Sequence, residues 1–556
     1  MGGVLLASYL ATMAPGVTFW DAGEFIAAAH TLGIPHPPGT PLFVAVGRVW
    51  TLALAPMLGT ARAMNLLSGC CTVLAGAITA WLVARETGAR SDTAWGAVAG
   101  ALCAGLMATA WANATETEVY AAALVHVVLL LACANRAVDG APRLGDRWLL
   151  CTAYLIALAP AVHLSALVGA PAAISLAARE RDGRWQVDRA LLLGGVLLSS
   201  AGVGRMSAPL VLFGAGVTLA SLAARRSRHG DGSPRVAPVI AALGLCVLAA
   251  TALLIMLVRA RHDPPINQGN PATLTALADV VARRQYDVAG MWPRQAPVWL
   301  QLANVAQYVD WQIALDWGRG IFTTPARVLA TVAYVALAAL GAREMRRDSR
   351  RLADAFLVLL VCGTLGVATY LNLKAGASLG AGLIPDGAPH EARERDYFFV
   401  LGFWAWGCLC GYGALAIARA RRWPPPVAVA AAGIILLGNW RTADRARGPG
   451  ASAARTFALA LLQSAPPNAA LFVSGDNDSY PLWYAQRVEG VREDVVLVTL
   501  PLLPADWYAR ELARRTGWRW SDNQPVPGTR LRHEQRAALI ARAARGAERP
   551  IAASPT

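Results

Sequence analysis

Lysine is nearly missing from this chain: of its 50 Lys and Arg residues, all but Lys374 are arginine. Charge of either sign is scarce too, with Asp, Glu, Lys and Arg at 15% against 56% hydrophobic residues over 556 positions. Soluble chains carry roughly a quarter of their residues as charges. The shortage therefore excludes a body solvated by water on all sides and makes lipid the main solvent; the mean hydropathy of +0.42 agrees. Cysteine is confined to Cys70, Cys71, Cys103, Cys133, Cys151, Cys246, Cys362, Cys408 and Cys410, each within an apolar run. That distribution excludes a disulfide framework and offers no metal-ligand spacing. Cys408 and Cys410 share no helical face and read as small buried hydrophobes. Also missing are an internal repeat and, before the first apolar run, the basic stretch and cleavage site of a removable signal peptide.

What is present is a series of apolar segments at Gly2–Ala14, Ala63–Ala84, Thr93–Trp111, Val119–Asn135, Trp148–Ala159, Val162–Ala178, Ala190–Gly204, Met206–Ala224, Val236–Val258, Ala326–Gly341, Ala353–Leu371, Tyr397–Ala418 and Val427–Trp440. They predict an α-helical polytopic membrane protein of about 13 transmembrane helices, several shorter than the ~20 residues of a perpendicular span. The formal charge of +15 would suit a nucleic-acid partner, but the arginines sit in short loops between apolar runs. That is the mark of membrane topology, so no nucleic acid is expected.

Arginine collects in alternate loops: Arg85 and Arg90; Arg136, Arg143 and Arg147; Arg179, Arg181, Arg184 and Arg189; Arg225, Arg226 and Arg228; Arg343 to Arg351; and Arg419, Arg421 and Arg422. These define a cytoplasmic face and leave the other loops outside. The alternation holds only if Pro41–Pro56 does not cross, so this segment reads as an interfacial or re-entrant helix inside a first outer loop, residues 15–62. The chain divides into a membrane domain, 1–440, and an extracytoplasmic tail, 441–556, the size of one small α/β domain.

Four outer segments carry unusual polar content. In Phe19-Trp20-Asp21-Ala22-Gly23-Glu24, the i, i+3 spacing sets Asp21 and Glu24 on one helical face; the same spacing is a capping box. A carboxylate beside lipid is pushed upward by desolvation, which suits a general base taking a proton from a hydroxyl. His36, in His-Pro-Pro-Gly, is a proton shuttle or a structural histidine. Glu116 and Glu118 line the same outer cavity or cap the next helix. In Glu391-Ala392-Arg393-Glu394-Arg395-Asp396-Tyr397, arginine outside runs against the topology trend and invites a phosphate, or pairs with its acidic neighbours.

In the tail, Ala470–Ser474 reads as a strand, Gly475–Asp478 as a turn, Tyr480–Val488 as a helix and Val495–Thr499 as a second strand. Asp476 and Asp478 have the D-x-D form that holds a divalent cation and nucleotide-sugar in soluble glycosyltransferases. A turn and N-cap role is the alternative, and the one an outer domain favours.

The segments FWDAGEFIAAAHTLGIPHPPGTPLF, NATETEVYA, ERDYFF and GDNDSYPLWYAQRVEGVREDVVLV, with PLLPADWY, resemble a bacterial polytopic family known as a domain of unknown function. It is similar to a eukaryotic multispanning protein O-mannosyltransferase and, more distantly, to GT-C glycosyltransferases. The resemblance implies a GT-C-like architecture in a bacterial inner membrane, with an acidic residue of the first outer loop acting on the acceptor. Asp21, with Glu24, occupies that position as catalytic residue. His36, Glu116, Glu118, Arg393, Arg395, Asp396, Tyr397, Asp476 and Asp478 are then candidates for substrate binding. The implied partners are a polyprenyl-phosphate-linked sugar donor and a hydroxyl on a protein or envelope glycan; the implied reaction inverts the anomeric carbon. No cofactor beyond a divalent cation at the D-x-D comes into question. Two other readings remain: a transporter or flippase of lipid-linked sugars, and a noncatalytic envelope assembly factor.

Overall fold

In lipid a backbone must satisfy its N–H and C=O groups within its own segment, so the apolar runs fold as helices. The computed structural model describes every residue except 89, 140–141, 230–235, 287–288, 319–321, 381–388, 521–528 and 556, and omits the side chains of 142–144, 225–229 and 529–533. Arg143, Arg225, Arg226 and Arg228 thus lie outside the described side chains. The N-terminal part runs α1 (Gly2–Thr12), α2 (Ala22–Thr31), α3 (Pro41–Leu58), α4 (Thr60–Glu86), α5 (Ser91–Leu106), α6 (Ala108–Thr115) and α7 (Val119–Arg136).

Among the described residues, nine helices are long and apolar enough to cross a membrane, or ten if α5 and α6, bent by 69°, form one broken span. The thirteen expected segments correspond to these nine without α3, to the bent α5–α6 pair, to the helix Pro142–Val162 and to the shorter apolar helices Gly2–Thr12, Leu164–Ala178 and Ala208–Ala224. One of the nine is α3, which the arginine alternation requires not to cross. Trp50 Nε1 donates to Ala63 O at 2.8 Å, and a Cβ on Gly47 would lie 2.9 Å from Met64 and 3.0 Å from Ala29, so α3 packs across α2 and the start of α4. Asn65 of that same start donates to Ala14 O and Gly16 O of the first loop.

The centre of the bundle is the Val400–Ala420 helix, nearly all of it buried. Its Gly407-x-x-x-Gly411 faces Gly100 and Ala104 of α5, and a Cβ on Gly411 would stand 2.0 Å from Gly100 N. Small residues at that spacing let two backbones meet where no hydrophobic drive separates helix from lipid. On another face Gly413 meets Leu337 O with the same intimacy.

At one end of the bundle the arginine loops interlock. Arg351 pairs with Glu86 at 2.8 Å with both side chains buried. Arg181 joins Glu86 to Asp139, and Arg419 gathers Asp92, Glu344 and Asp348. Helices α4, α7 and Val400–Ala420 each end here and begin at the opposite end, where the polar loops meet.

The tail holds a three-stranded parallel sheet in the order β2-β1-β3, with β1 at Ala470–Val473, β2 at Val496–Thr499 and β3 at Ile551–Ala553. Register pairs Ala470 with Val496 and with Ile551. The helix after β1 is Asp476–Arg487: it begins four residues before the expected Tyr480, because Asp476 and Asp478 in its first turn stabilise the positive helix end. β3 lies at the far end of the chain and has no expected counterpart.

Candidate active site

Helix α2 starts at Ala22, with Asp21 in the N-cap position, yet the Asp21 side chain makes no capping bond. The capping box is absent because both carboxylates have stronger partners. Arg393 Nη2 donates to Asp21 Oδ2 at 2.7 Å, a charge-assisted bond between residues 372 apart. Burial acts to raise the Asp21 pKa, but Arg393 first, then His36 and Arg395, outweigh it and hold this carboxyl below the usual range. The upward shift expected from desolvation is thus reversed: a guanidinium beside an acid stabilises its charged form.

Glu24 is fully buried and saturated. Its Oε1 accepts the His36 backbone N–H at 2.8 Å and Gln268 Nε2 at 2.5 Å, while its Oε2 lies 2.5 Å from His36 Nδ1. Burial opposes the imidazolium, but the Glu24 carboxylate overcomes it, and with Asp21 and Asp476 pushes His36 up to about 9. With every acceptor engaged, Glu24 holds His36 and the loop, and Asp21 remains the carboxylate with room for another partner.

Arg393 is seated by three groups besides Asp21: its Nε donates to the Tyr397 hydroxyl at 3.0 Å, and its guanidinium lies 4.9 Å from the Trp20 ring and 4.8 Å from the Tyr397 ring. Arg395 Nη1 donates to the same Tyr397 hydroxyl at 2.7 Å, so the phenol ties two guanidinium groups together. Glu391 lies 3.4 Å from Arg395 Nε, and Tyr308 accepts the Arg395 backbone N–H at 2.9 Å. Glu118, just before α7, has a buried Oε2 with no hydrogen-bond partner among the described residues. Burial, then the negative fields of Asp21 and Glu116, push its carboxyl well upward.

The structure thus brings together Asp21, Glu24, His36, Glu118, Arg393, Arg395 and Tyr397. It gives other partners to the rest. Glu116 accepts from Thr18 at 2.9 Å and pairs with Arg445 at 2.8 Å, tying the first loop to the tail. Asp396 accepts the Thr109 hydroxyl at 2.5 Å and belongs to the packing of α6. Asp478 is buried and, from within the helix, accepts the Ser474 N–H at 3.2 Å, whereas Asp476 is exposed in the same helical turn. Among the described residues no three His, Cys, Asp or Glu side chains gather as metal ligands.

Sequence reasoning missed Gln268, Tyr308, Tyr480 and Asn477. Tyr480 lies parallel to the His36 ring at 6.5 Å, and Asn477 Oδ1 accepts the Trp20 N–H at 2.7 Å. A signal for Gln268 was present: Asp263-Pro-Pro-Ile-Asn-Gln-Gly-Asn is a turn-rich cluster between apolar runs. In the structure this loop meets the first one, with Ile34 N–H on Ile266 O at 2.8 Å and Gln268 N–H on Ile34 O at 2.9 Å.

Fold and site together define a polytopic helical membrane protein with a carboxylate–arginine centre at one end of its bundle, completed by a small α/β module. Residues 21–186 match the model of the Protein O-mannosyl-transferase TMEM260 N-terminal domain, and residues 454–540 match TMEM260-associated domain 2. The chain therefore resembles that O-mannosyl-transferase family in the first loop, which carries Asp21, Glu24 and His36, and in the tail, while Arg393, Arg395 and Tyr397 lie between the two matched stretches. Protein O-mannosyl-transferase TMEM260 of Mus musculus is 34% identical over 119 residues, 21% of this chain and 16% of the mouse protein. Its Dictyostelium discoideum namesake is 46% identical over 43 residues, 8% of this chain and 5% of that protein. The matched stretches are thus a small part of these relatives. Among solved structures, an Archaeoglobus fulgidus oligosaccharyltransferase tethered with an acceptor peptide aligns over 92% of this chain and 68% of its own, at 11% identity and a TM-score of 0.45. ArnT from Cupriavidus metallidurans, bound to undecaprenyl phosphate, aligns over 91% and 90%, at 14% identity and 0.34.

Proposed function

We propose that this chain is an inverting GT-C type glycosyltransferase, which moves a sugar from a polyprenyl-phosphate donor to a hydroxyl of a protein or an envelope glycan. The observation that carries this reading is the Asp21–Arg393 pair, with Arg395 joined to it through Tyr397, at the bundle end where α2 enters from the first loop. The interlocked arginine loops mark the opposite end as cytoplasmic by the positive-inside trend. The site and the tail then lie on the outer face. The similarity to O-mannosyl-transferase segments supports transfer of a sugar to protein.

The arrangement suits a single displacement. Arg393 and Arg395 take the donor phosphate, guanidinium being matched to phosphate oxygens. Arg393 then shares its charge with the phosphate, and Asp21 is released from the partner that keeps its basicity low. The acceptor oxygen attacks the anomeric carbon, Asp21 receives its proton, and the bond from that carbon to the phosphate oxygen breaks. The electron pair leaves on the phosphate, where the two guanidinium groups stabilise the developing charge. Glu118 offers its unpartnered oxygen to a sugar hydroxyl.

The test is release of free polyprenyl phosphate from labelled polyprenyl-phosphate sugars by wild type and by Asp21→Asn, with membrane extract supplying acceptors. Release by wild type and its loss in a folded Asp21→Asn is the expected result. No release with any donor, alongside movement of the lipid across vesicle membranes, would overturn it in favour of a transporter.

A further inference from the structure

Trp20 stands in the left-handed region at φ 62°, a conformation that bulky residues avoid. Two contacts explain why it is held there. Asn477, in the first turn of the Asp476–Arg487 helix, accepts the Trp20 N–H at 2.7 Å, and the Trp20 indole lies against the Arg393 guanidinium, 4.9 Å from centroid to Cζ. The next residue, Asp21, is the ion partner of that same guanidinium. The tail helix is firmly seated beside them: a Cβ on Gly23 would fall 2.5 Å from Tyr480 O, and Phe19 packs on Phe457 at 6.1 Å.

Resting on the transferase reading, we propose that Asn477 is a positioning residue for sugar transfer: its side-chain carbonyl locks Trp20 in the strained conformation that seats indole and Asp21 on opposite contacts of Arg393. Strained backbone of this kind clusters where a structure over-determines a site. Without Asn477, Trp20 relaxes toward ordinary dihedrals, the indole leaves Arg393, and the guanidinium is no longer aimed at the phosphate. The tail is thereby part of the catalytic apparatus, although it supplies no reacting atom.

The experiment uses the full chain in nanodiscs. Asn477→Leu removes the acceptor at similar volume, and Asn477→Asp keeps an acceptor oxygen in place. Two readouts are taken: the kcat of polyprenyl phosphate release, and the ¹⁹F resonance of Trp20 in 5-fluorotryptophan protein, assigned by its loss in Trp20→Phe. Asn477→Leu is expected to shift that resonance while leaving the other tryptophan signals in place, and to lower kcat at least tenfold; Asn477→Asp restores both. An unmoved Trp20 signal, or a moved one with undiminished kcat, overturns the inference and leaves the transferase reading intact. A wild type inert toward every donor overturns the transferase reading and this role with it.

Discussion

Asp21 was legible as a candidate because a charge at the mouth of a membrane is costly, and Arg393 because it opposes the arginine trend. Their pairing was not, since no pattern in a linear chain links positions 372 apart. The pairing changes what Asp21 is: an ionised carboxylate held low by a guanidinium, where local reasoning expected one raised by desolvation. Replacing it by Asn is expected to lower transfer by about 10²–10⁴-fold, the range of a lost general base, and to lower the unfolding temperature as well, since Arg393 loses its ion partner; kinetics and a thermal melt check both. Arg393→Lys keeps the charge but loses the planar fork and the stacking on Trp20, and should lower kcat on the order of a hundredfold. His36 yields a pH prediction. Its folded pKa is raised to about 9 by Glu24, so its contribution to stability is complete below its unfolded value of about 6.5 and disappears as pH rises through about 9. The unfolding temperature of wild type should fall across that window, and that part of the decline should be missing in His36→Phe.

Helix α2 is a short piece buried on every face from Ala22 to Ala29, and its use depends on what it touches. Gly23 lies in it only because the carbonyl of Tyr480 crosses there, 2.5 Å from where a Cβ would stand. Gly23→Val must push α2 away from the Asp476–Arg487 helix, since backbone offers no rotamer to yield. A loss of about 1–3 kcal/mol in a denaturant titration is expected, with earlier proteolysis between membrane domain and tail. Helix α3 teaches a related lesson: its 18 residues are long and apolar enough to span, and hydropathy alone would count it as a span. The arginine alternation argues otherwise. The turn at Asp476 was misplaced because D-N-D reads equally as turn and as the acidic first turn of a helix; packing on α2 decides between them.

Across the whole chain, the buried Arg351–Glu86 pair joins the last residue of α4 to the first turn of the Arg350–Val361 helix. Removing Arg351 leaves Glu86 with the longer contact to Arg181 at 3.3 Å, so Arg351→Leu is expected to destabilise by about 1–3 kcal/mol, read as a lower unfolding temperature in detergent. Added salt should change this pair little, because it is shielded from ions, whereas exposed pairs such as Arg184–Asp182 contribute little at any ionic strength. The sequence by itself determined that the chain lives in lipid, which end of each helix carries arginine, that an α/β piece closes the chain, and which loops hold the unusual acids and bases. These follow from composition and local periodicity, and solvent and backbone chemistry read both without reference to distant residues. Tertiary structure alone decided that Asp21 faces Arg393, that Glu24 is consumed by His36 and Gln268, that Glu116, Asp396 and Asp478 are drawn into other contacts, and that the tail holds Trp20. A side chain's partner is set by which helices pack together, and that packing is the outcome of close approaches such as Gly100 on Gly411, summed over the whole bundle.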